Sequence, residues 1–253
     1  MAHEHYMSFL VEELQNDRLE ELVFACFQNS PKKWSLIWIP ENGSPWTTLE
    51  SKPDSVRPVS DALDCAKKIN SQAAGGILGI DQITKEWFAD QTILPHRLSI
   101  ERRSALYLGG PVRISLRWDV KYFPEDLVKR TSYEGVPRVS LDAPAERQRI
   151  ENLLLKFGTT VCSILGHARG WFDFADTYNP PARAIHYVDW VPKRILDLIG
   201  GVETFRRLGI EPAETLDDGG VRLQAVRDIL GVVPLENKPN PNWKELQGLL
   251  SAY

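Results

Sequence analysis

The chain has 253 residues, 43% of them hydrophobic and 25% charged, with a formal net charge of −4. That length supports a sizeable core without staples, and the apolar content excludes a disordered chain. The mild acidity argues against a general nucleic-acid binder, which would cluster Lys and Arg against phosphate.

In chain order, Phe9, Leu10, Leu14, Leu22, Val23 and Phe27 predict a helical region over about 6–29 with a break near Asn16-Asp17. Its polar face would carry Glu12, Glu13, Glu20 and Glu21, either as a solvated surface or as an acidic docking surface. His3 and His5 form an HxH pair at the terminus, where disorder is the expectation. The run from Trp34 to Ile39 reads as a strand closed by Pro40, and 58–70 reads as a helix. Residues 73–79 are loop-like or a short buried strand, and 83–89 a helical turn.

The segment 111–119 alternates. Val112, Ile114, Leu116 and Trp118 share one face; Arg113, Ser115, Arg117 and Asp119 share the other, as in a half-buried strand. Residues 121–137 read as a loop with a short helix. Asp142 can cap the next helix, whose stripe Ile150, Leu153, Leu154, Phe157, Val161, Ile164 and Leu165 runs to a stop at Gly166. A strand over 169–174 follows, then the break Asn179-Pro180-Pro181. Residues 185–189 are a strand or an extended entry to a helix that starts after Pro192 and stops at Gly200-Gly201. Another short helix ends at Gly209. Asp217-Asp218-Gly219-Gly220, flanked by strand-like segments, marks a hairpin. A terminal helix covers 243–250. The order predicts one α+β domain with a mixed or antiparallel sheet packed with several helices.

No long apolar run and no basic, apolar leader is present, so no membrane partner is expected and the cytoplasm is the default location. Cys26, Cys65 and Cys162 are scattered, odd in number and outside any CxxC pattern. They read as buried free thiols of a reducing compartment. Trp34, Trp38, Trp118 and Trp190 sit on strand-like or junction patterns that suit a core. Trp46, Trp87, Trp171 and Trp243 are less clearly buried, and an exposed Trp beside carboxylates makes a good interface anchor.

The densest polar group is His167, Arg169, Asp173, Asp176, His186 and Asp189. Such residues can ligate a metal or move protons, but their spacing matches neither HExxH nor a zinc ribbon. The plainer reading has Asp173 and Asp189 bonded to nearby backbone or arginines. No GxGxxG or GxxxxGK[ST] occurs, and neither Ser132 nor Ser163 lies in a GxSxG elbow. No cofactor is expected.

Three runs carry a resemblance: Tyr187-Val188-Asp189-Trp190-Val191, then Leu198-Ile199-Gly200-Gly201-Val202-Glu203, then Asp217-Asp218-Gly219-Gly220-Val221-Arg222-Leu223-Gln224. Their order resembles the type VI secretion immunity family, alpha/beta proteins encoded beside secreted toxic effectors in bacteria. The resemblance covers the C-terminal third well, the middle loosely and the first hundred residues poorly. It implies a cognate protein toxin as partner, often a nuclease, encoded by the adjacent gene and neutralised by stoichiometric binding. A homo-oligomer stays open. Charge and aromatic content nominate Glu12, Glu13, Glu20, Glu21, Trp171, Asp173, Asp176, Tyr178, Asp217 and Asp218 as toxin contacts. Two rivals remain: a metal-assisted hydrolase using His167, Asp173, His186 and Asp189, and a non-catalytic scaffold or regulatory subunit.

Overall fold

A computed structural model describes residues 4–27, 34–38, 59–71, 75–80, 95, 97–102, 111–119, 128–133, 136–141, 144–175, 186–225 and 242–250. Its strands are β1 (Glu4–Val11), β2 (Trp34–Trp38), β3 (Gly75–Ile80), β4 (Arg97–Arg102), β5 (Val112–Asp119), β6 (Val128–Tyr133), β7 (Val136–Leu141), β8 (Arg169–Ala175), β9 (Val188–Val191), β10 (Glu214–Thr215) and β11 (Val221–Gln224). Its helices are α1 (Asn16–Phe27), α2 (Val59–Asn70), α3 (Pro144–Ile164), α4 (Lys193–Leu198), α5 (Val202–Arg207) and α6 (Asn242–Leu250). Nine strands form one sheet in the order β10-β11-β9-β8-β1-β5-β4-β3-β2, and β6 pairs with β7 apart from it. Every pairing in the large sheet is antiparallel. The protein is therefore a single-domain α+β fold.

The sheet is organised around β1, which lies between β5 and β8 and is buried from His5 to Val11. This corrects two expectations. Residues 6–11 are strand, with the helix starting only at Asn16, and His5 is an ordered strand residue stacked on Phe172 at 5.7 Å. A strand buried on both faces shows a continuous apolar run, which periodicity alone cannot tell from a buried helix. A third correction concerns 121–137: its described part is strand, joined to 136–141 as the β6–β7 ladder.

Alternation along the strands divides the sheet into two faces. Met7, Phe9, Ile114, Leu116, Trp118, Phe172, Val188 and Trp190 face α1, α2 and α3 in the main core. The helices present Leu19, Leu22 and Val23, then Ala62, Ala66 and Ile69, then Ile150, Leu154 and Val161. α3 approaches closely because Gly158 has no side chain. A Cβ there would stand 2.2 Å from the Trp190 ring, whose indole N–H donates to Thr159 Oγ1 at 3.1 Å.

The opposite face is covered at one end by a second core. Val191, Val221 and Leu223 of the sheet pack there with Ile195 and Leu196 of α4, Phe205 of α5 and Trp243, Leu246 and Leu250 of α6. Burying a Leu-sized side chain contributes roughly 1.5–3 kcal/mol, so these three short helices hold by packing. The propensity of six to nine residues could not hold them. Trp171 and Trp243, less clearly buried in the sequence reading, are both interior. Trp46 and Trp87 lie outside the described residues.

Candidate partner-binding face

The nominated acidic residues do not share one helix face. Glu12 and Glu13 stand in the turn between β1 and α1, and Glu20 and Glu21 on α1; all four are exposed. Glu20 lies 4.0 Å from Lys67, Glu21 lies 3.8 Å from Arg18 and Glu12 lies 3.6 Å from Arg194. Glu13 has no ion pair among the described residues.

α4 links two of the acidic segments. Asp218 Oδ2 accepts the Lys193 backbone N–H at 2.9 Å, and Asp218 Oδ1 accepts the Gly220 N–H at 2.8 Å. Pro192 precedes the helix with φ −65° and offers no side-chain cap, so the hairpin supplies the cap from 25 residues away. The next residue, Arg194, reaches Glu12. The first turn of α4 thus joins the β10–β11 turn to the β1–α1 turn. Asp217 is exposed beside this junction, whereas Asp218 is engaged in holding it.

Two concavities meet at Glu12. One, of about 890 Å³, runs between the β1–α1 turn, with Glu12 and Glu13, and a wall of Lys67, Asn70, Ser71 and Arg102. The other, of about 250 Å³, is lined by Leu10, Val11, Pro111, Ile195 and Leu198, with Glu12 and Arg194 at its rim. Leu198 is 64% exposed, the largest value for a bulky apolar residue among those described, and Val202 is also exposed.

Trp171 belongs elsewhere. It is only 4% exposed, so it is no surface anchor. His186 stacks on it at 5.1 Å, and the guanidinium groups of Arg113 and Arg169 each lie 5.7 Å from its ring centre. The side chain of Asp173 is outside the description, as are Asp176 and Tyr178 altogether.

The three residues of the hydrolase alternative with described side chains separate into two groups. His186 Nδ1 lies 3.0 Å from Asp189 Oδ1, while His167 lies 3.8 Å from Asp218. Asp189 is fully buried and has two further partners, Gln247 Nε2 at 2.6 Å and Arg169 at 3.8 Å. Arg169 also donates to the Leu250 carbonyl at 2.6 Å. The cluster therefore clamps α6 onto β8 and β9 from inside, close to the plainer sequence reading in which Asp189 meets an arginine. Among the described residues the imidazole Nε2 of His186 is buried without a hydrogen-bond partner. Among the described residues no three His, Cys, Asp or Glu side chains converge as metal ligands.

None of the cysteines forms a disulfide: Cys26 and Cys162 are buried and Cys65 is half-buried. Burial pushes the Cys26 thiol far above its ordinary range. Burial, with the Asp218 carboxylate adding to it, pushes Cys162 up to about 12. Both stay protonated at neutral pH. No helix among the described residues is long and apolar enough to cross a membrane.

Sequence reasoning missed Leu198, Arg194 and Gln247. Leu198 falls on the stripe side of a short apolar helix and carries no mark of exposure. Gln247 meets Asp189 across 58 residues of chain.

No family model matches the chain. No curated protein matches it. Among solved structures it is similar to a Pseudomonas aeruginosa T6SS protein, PA0821, with a TM-score of 0.51 and 11% sequence identity, over 98% of this chain and 75% of that one. At that identity the likeness is one of fold.

Proposed function

We propose that this chain is an immunity protein that binds a co-encoded secreted toxin in the bacterial cytoplasm and neutralises it stoichiometrically, without catalysis. The observation that carries the reading is the fold likeness to a protein of the type VI secretion system across 98% of the chain. The three C-terminal sequence runs point the same way. The exposed carboxylates Glu12, Glu13, Glu20, Glu21 and Asp217 fit an inhibitor of a basic active site, since a cleft built to attract phosphate is positive. A nuclease is accordingly the toxin class favoured.

The buried polar cluster supports a non-catalytic reading. Asp189 takes Gln247 of α6 on one oxygen and His186 on the other, and His186 stacks on Trp171. A general base needs hydrogen-bond reach to a substrate proton, and this imidazole is buried with its Nδ1 engaged by Asp189.

The test is co-expression. The product of the adjacent gene should arrest growth when expressed alone in the bacterial cytoplasm, and co-expression of this chain should restore it. An adjacent product that is harmless alone would end the immunity reading and favour the scaffold.

A further inference from the structure

We infer that the hydroxyls of Ser99 and Ser115, on the sheet face opposite the main core, form a phosphate-binding site with the guanidinium groups of Arg97 and Arg117. The ligand is phosphate, free or as a phosphomonoester, and the inference stands apart from the immunity reading. Leu98, Ile100, Ile114 and Leu116 turn into the main core. Alternation therefore puts Arg97, Ser99, Glu101, Arg113, Ser115 and Arg117 together on the other face. The register sets Ser8 beside Ser115, Ser115 beside Ser99 and, in the next row, Arg97 beside Arg117. Hydrogen-bond polarity runs one way along the serines. Arg113 donates through Nε and Nη2 to Ser8 Oγ at 3.2 and 3.1 Å, and a guanidinium only donates. With its lone pairs so taken, Ser8 Oγ gives its own hydrogen to Ser115 Oγ at 3.1 Å. The Ser115 hydrogen then needs an acceptor that Ser8 cannot supply. Next to it, Ser99 is 0% exposed, and its Oγ has no hydrogen-bond partner among the described residues. Two neighbouring buried hydroxyls thus call for one acceptor, and leaving such groups unmatched is costly.

The flanking charges select the acceptor. Arg97 and Arg117 oppose each other directly across β4 and β5. Like charges so placed destabilise a ladder, and an anion between them removes that cost. Arg117 lies 3.8 Å from Glu101, and both arginines have further interactions. A guanidinium nonetheless carries more N–H donors than one carboxylate can take. Among the described side chains bordering the two serines, Arg97, Arg113 and Arg117 stand against Glu101, so positive charge is in excess. Water would satisfy the hydroxyls but leave that excess in place. Phosphate has oxygens enough for two hydroxyls and two guanidiniums at once, where a carboxylate does not, and arginine meets it bidentately. The side chain of Arg117 is 32% exposed, and Arg97 is likewise half-buried. The ion would enter between them, with the hydroxyls beneath.

The experiment is isothermal titration calorimetry of the full chain, with inorganic phosphate and glycerol 3-phosphate as probes at constant ionic strength in sodium chloride. The variants are Ser99→Ala and Arg117→Gln, with Lys156→Gln, an exposed position on α3, as the control. Saturable phosphate binding is expected for the unaltered chain and the control. It should be about tenfold weaker in Ser99→Ala, which loses one hydrogen bond to an anion, and weakened at least as much in Arg117→Gln. Thermal unfolding separates this role from a merely structural one. Without phosphate, Ser99→Ala removes an unmatched hydroxyl and should unfold no earlier than the unaltered chain. Added phosphate should raise the midpoint of the unaltered chain more than that of the variant. Binding of both probes marks an esterified ligand and binding of inorganic phosphate alone marks the free ion; either supports the site. No saturable binding by the unaltered chain would mean that water meets the hydroxyls, and the site is wrong. Equal binding by the unaltered chain and both variants would overturn it as well, since the ion would then sit elsewhere. Neither failure touches toxin neutralisation, which the co-expression test decides.

Discussion

His186 Nδ1 and Asp189 Oδ1 stand 3.0 Å apart, three residues from each other in sequence and both inside the protein. The contact looks like half of a catalytic device, yet it belongs to a clamp. Arg169 reaches Asp189 from β8 and Gln247 reaches it from α6, and Arg169 also caps the last carbonyl of α6. A buried carboxylate is tolerable only when several donors surround it. Asp189 meets that condition by recruiting the C-terminal helix.

Removing the carboxylate should therefore be costly. Asp189→Ala leaves Arg169 and His186 without their shared acceptor, and breaking a buried ion pair typically costs about 3–5 kcal/mol. Gln247→Ala removes one hydrogen bond to a charged group and should cost roughly 1.5–3 kcal/mol. Urea unfolding followed by tryptophan fluorescence checks both. The His186→Ala variant keeps Asp189 with Arg169 and Gln247, so it should lose less stability than Asp189→Ala in the same urea series.

Much of this fold was legible in the sequence, for identifiable reasons. β5, α3 and the β10–β11 hairpin each have a local signature: strict alternation, a 3.6-residue stripe, or glycines at a turn where Gly219 adopts φ +81°. β1 was not legible because its place between β5 and β8 buries both faces, which erases alternation. The strand pair 128–141 lacks the flanking pattern that would separate it from loop. The site fared worse. Which carboxylates stay exposed depends on pairing between distant segments, as with Glu12 and Arg194 or Asp218 and Lys193. Trp171 reads as a surface anchor in the sequence because nothing local reports that two arginines and a histidine surround it.

The Gly158–Trp190 contact predicts a packing-limited position. Gly158→Ala improves helix propensity by roughly 1 kcal/mol. Its new methyl would nonetheless collide with the indole at 2.2 Å. Overpacking costs about 1–3 kcal/mol, so the variant should come out neutral to destabilised in thermal unfolding. A clear gain in stability would mean that α3 lies farther from the sheet.

Asp218 should matter to stability more than its exposed neighbour Asp217. Asp218→Ala frees two backbone N–H groups, at Lys193 and Gly220. Loss of such a cap costs about 0.5–2 kcal/mol. Asp217→Ala should leave stability unchanged, which chemical denaturation of the two variants side by side would show.

The cysteines give a test of burial and of pH dependence. With a thiol reagent at pH 8, Cys65 should react quickly while Cys26 and Cys162 react only after unfolding. Cys162 rises from 9.0 to about 12 in the folded state. Its raised value favours the neutral thiol, so its contribution is fully present below pH 9.0 and is lost as pH climbs toward 12. Replacing Cys162 by Ala should flatten the alkaline fall in stability over that window.

Neutralisation by binding is open to direct titration. Purified toxin, at a concentration well above the dissociation constant, is assayed with increasing amounts of this chain. Toxin activity should fall in a straight line and reach zero at a fixed whole-number equivalence. Complete loss of activity from a small fraction of one equivalent, growing with time of incubation, would show turnover and contradict it; so would activity that never declines.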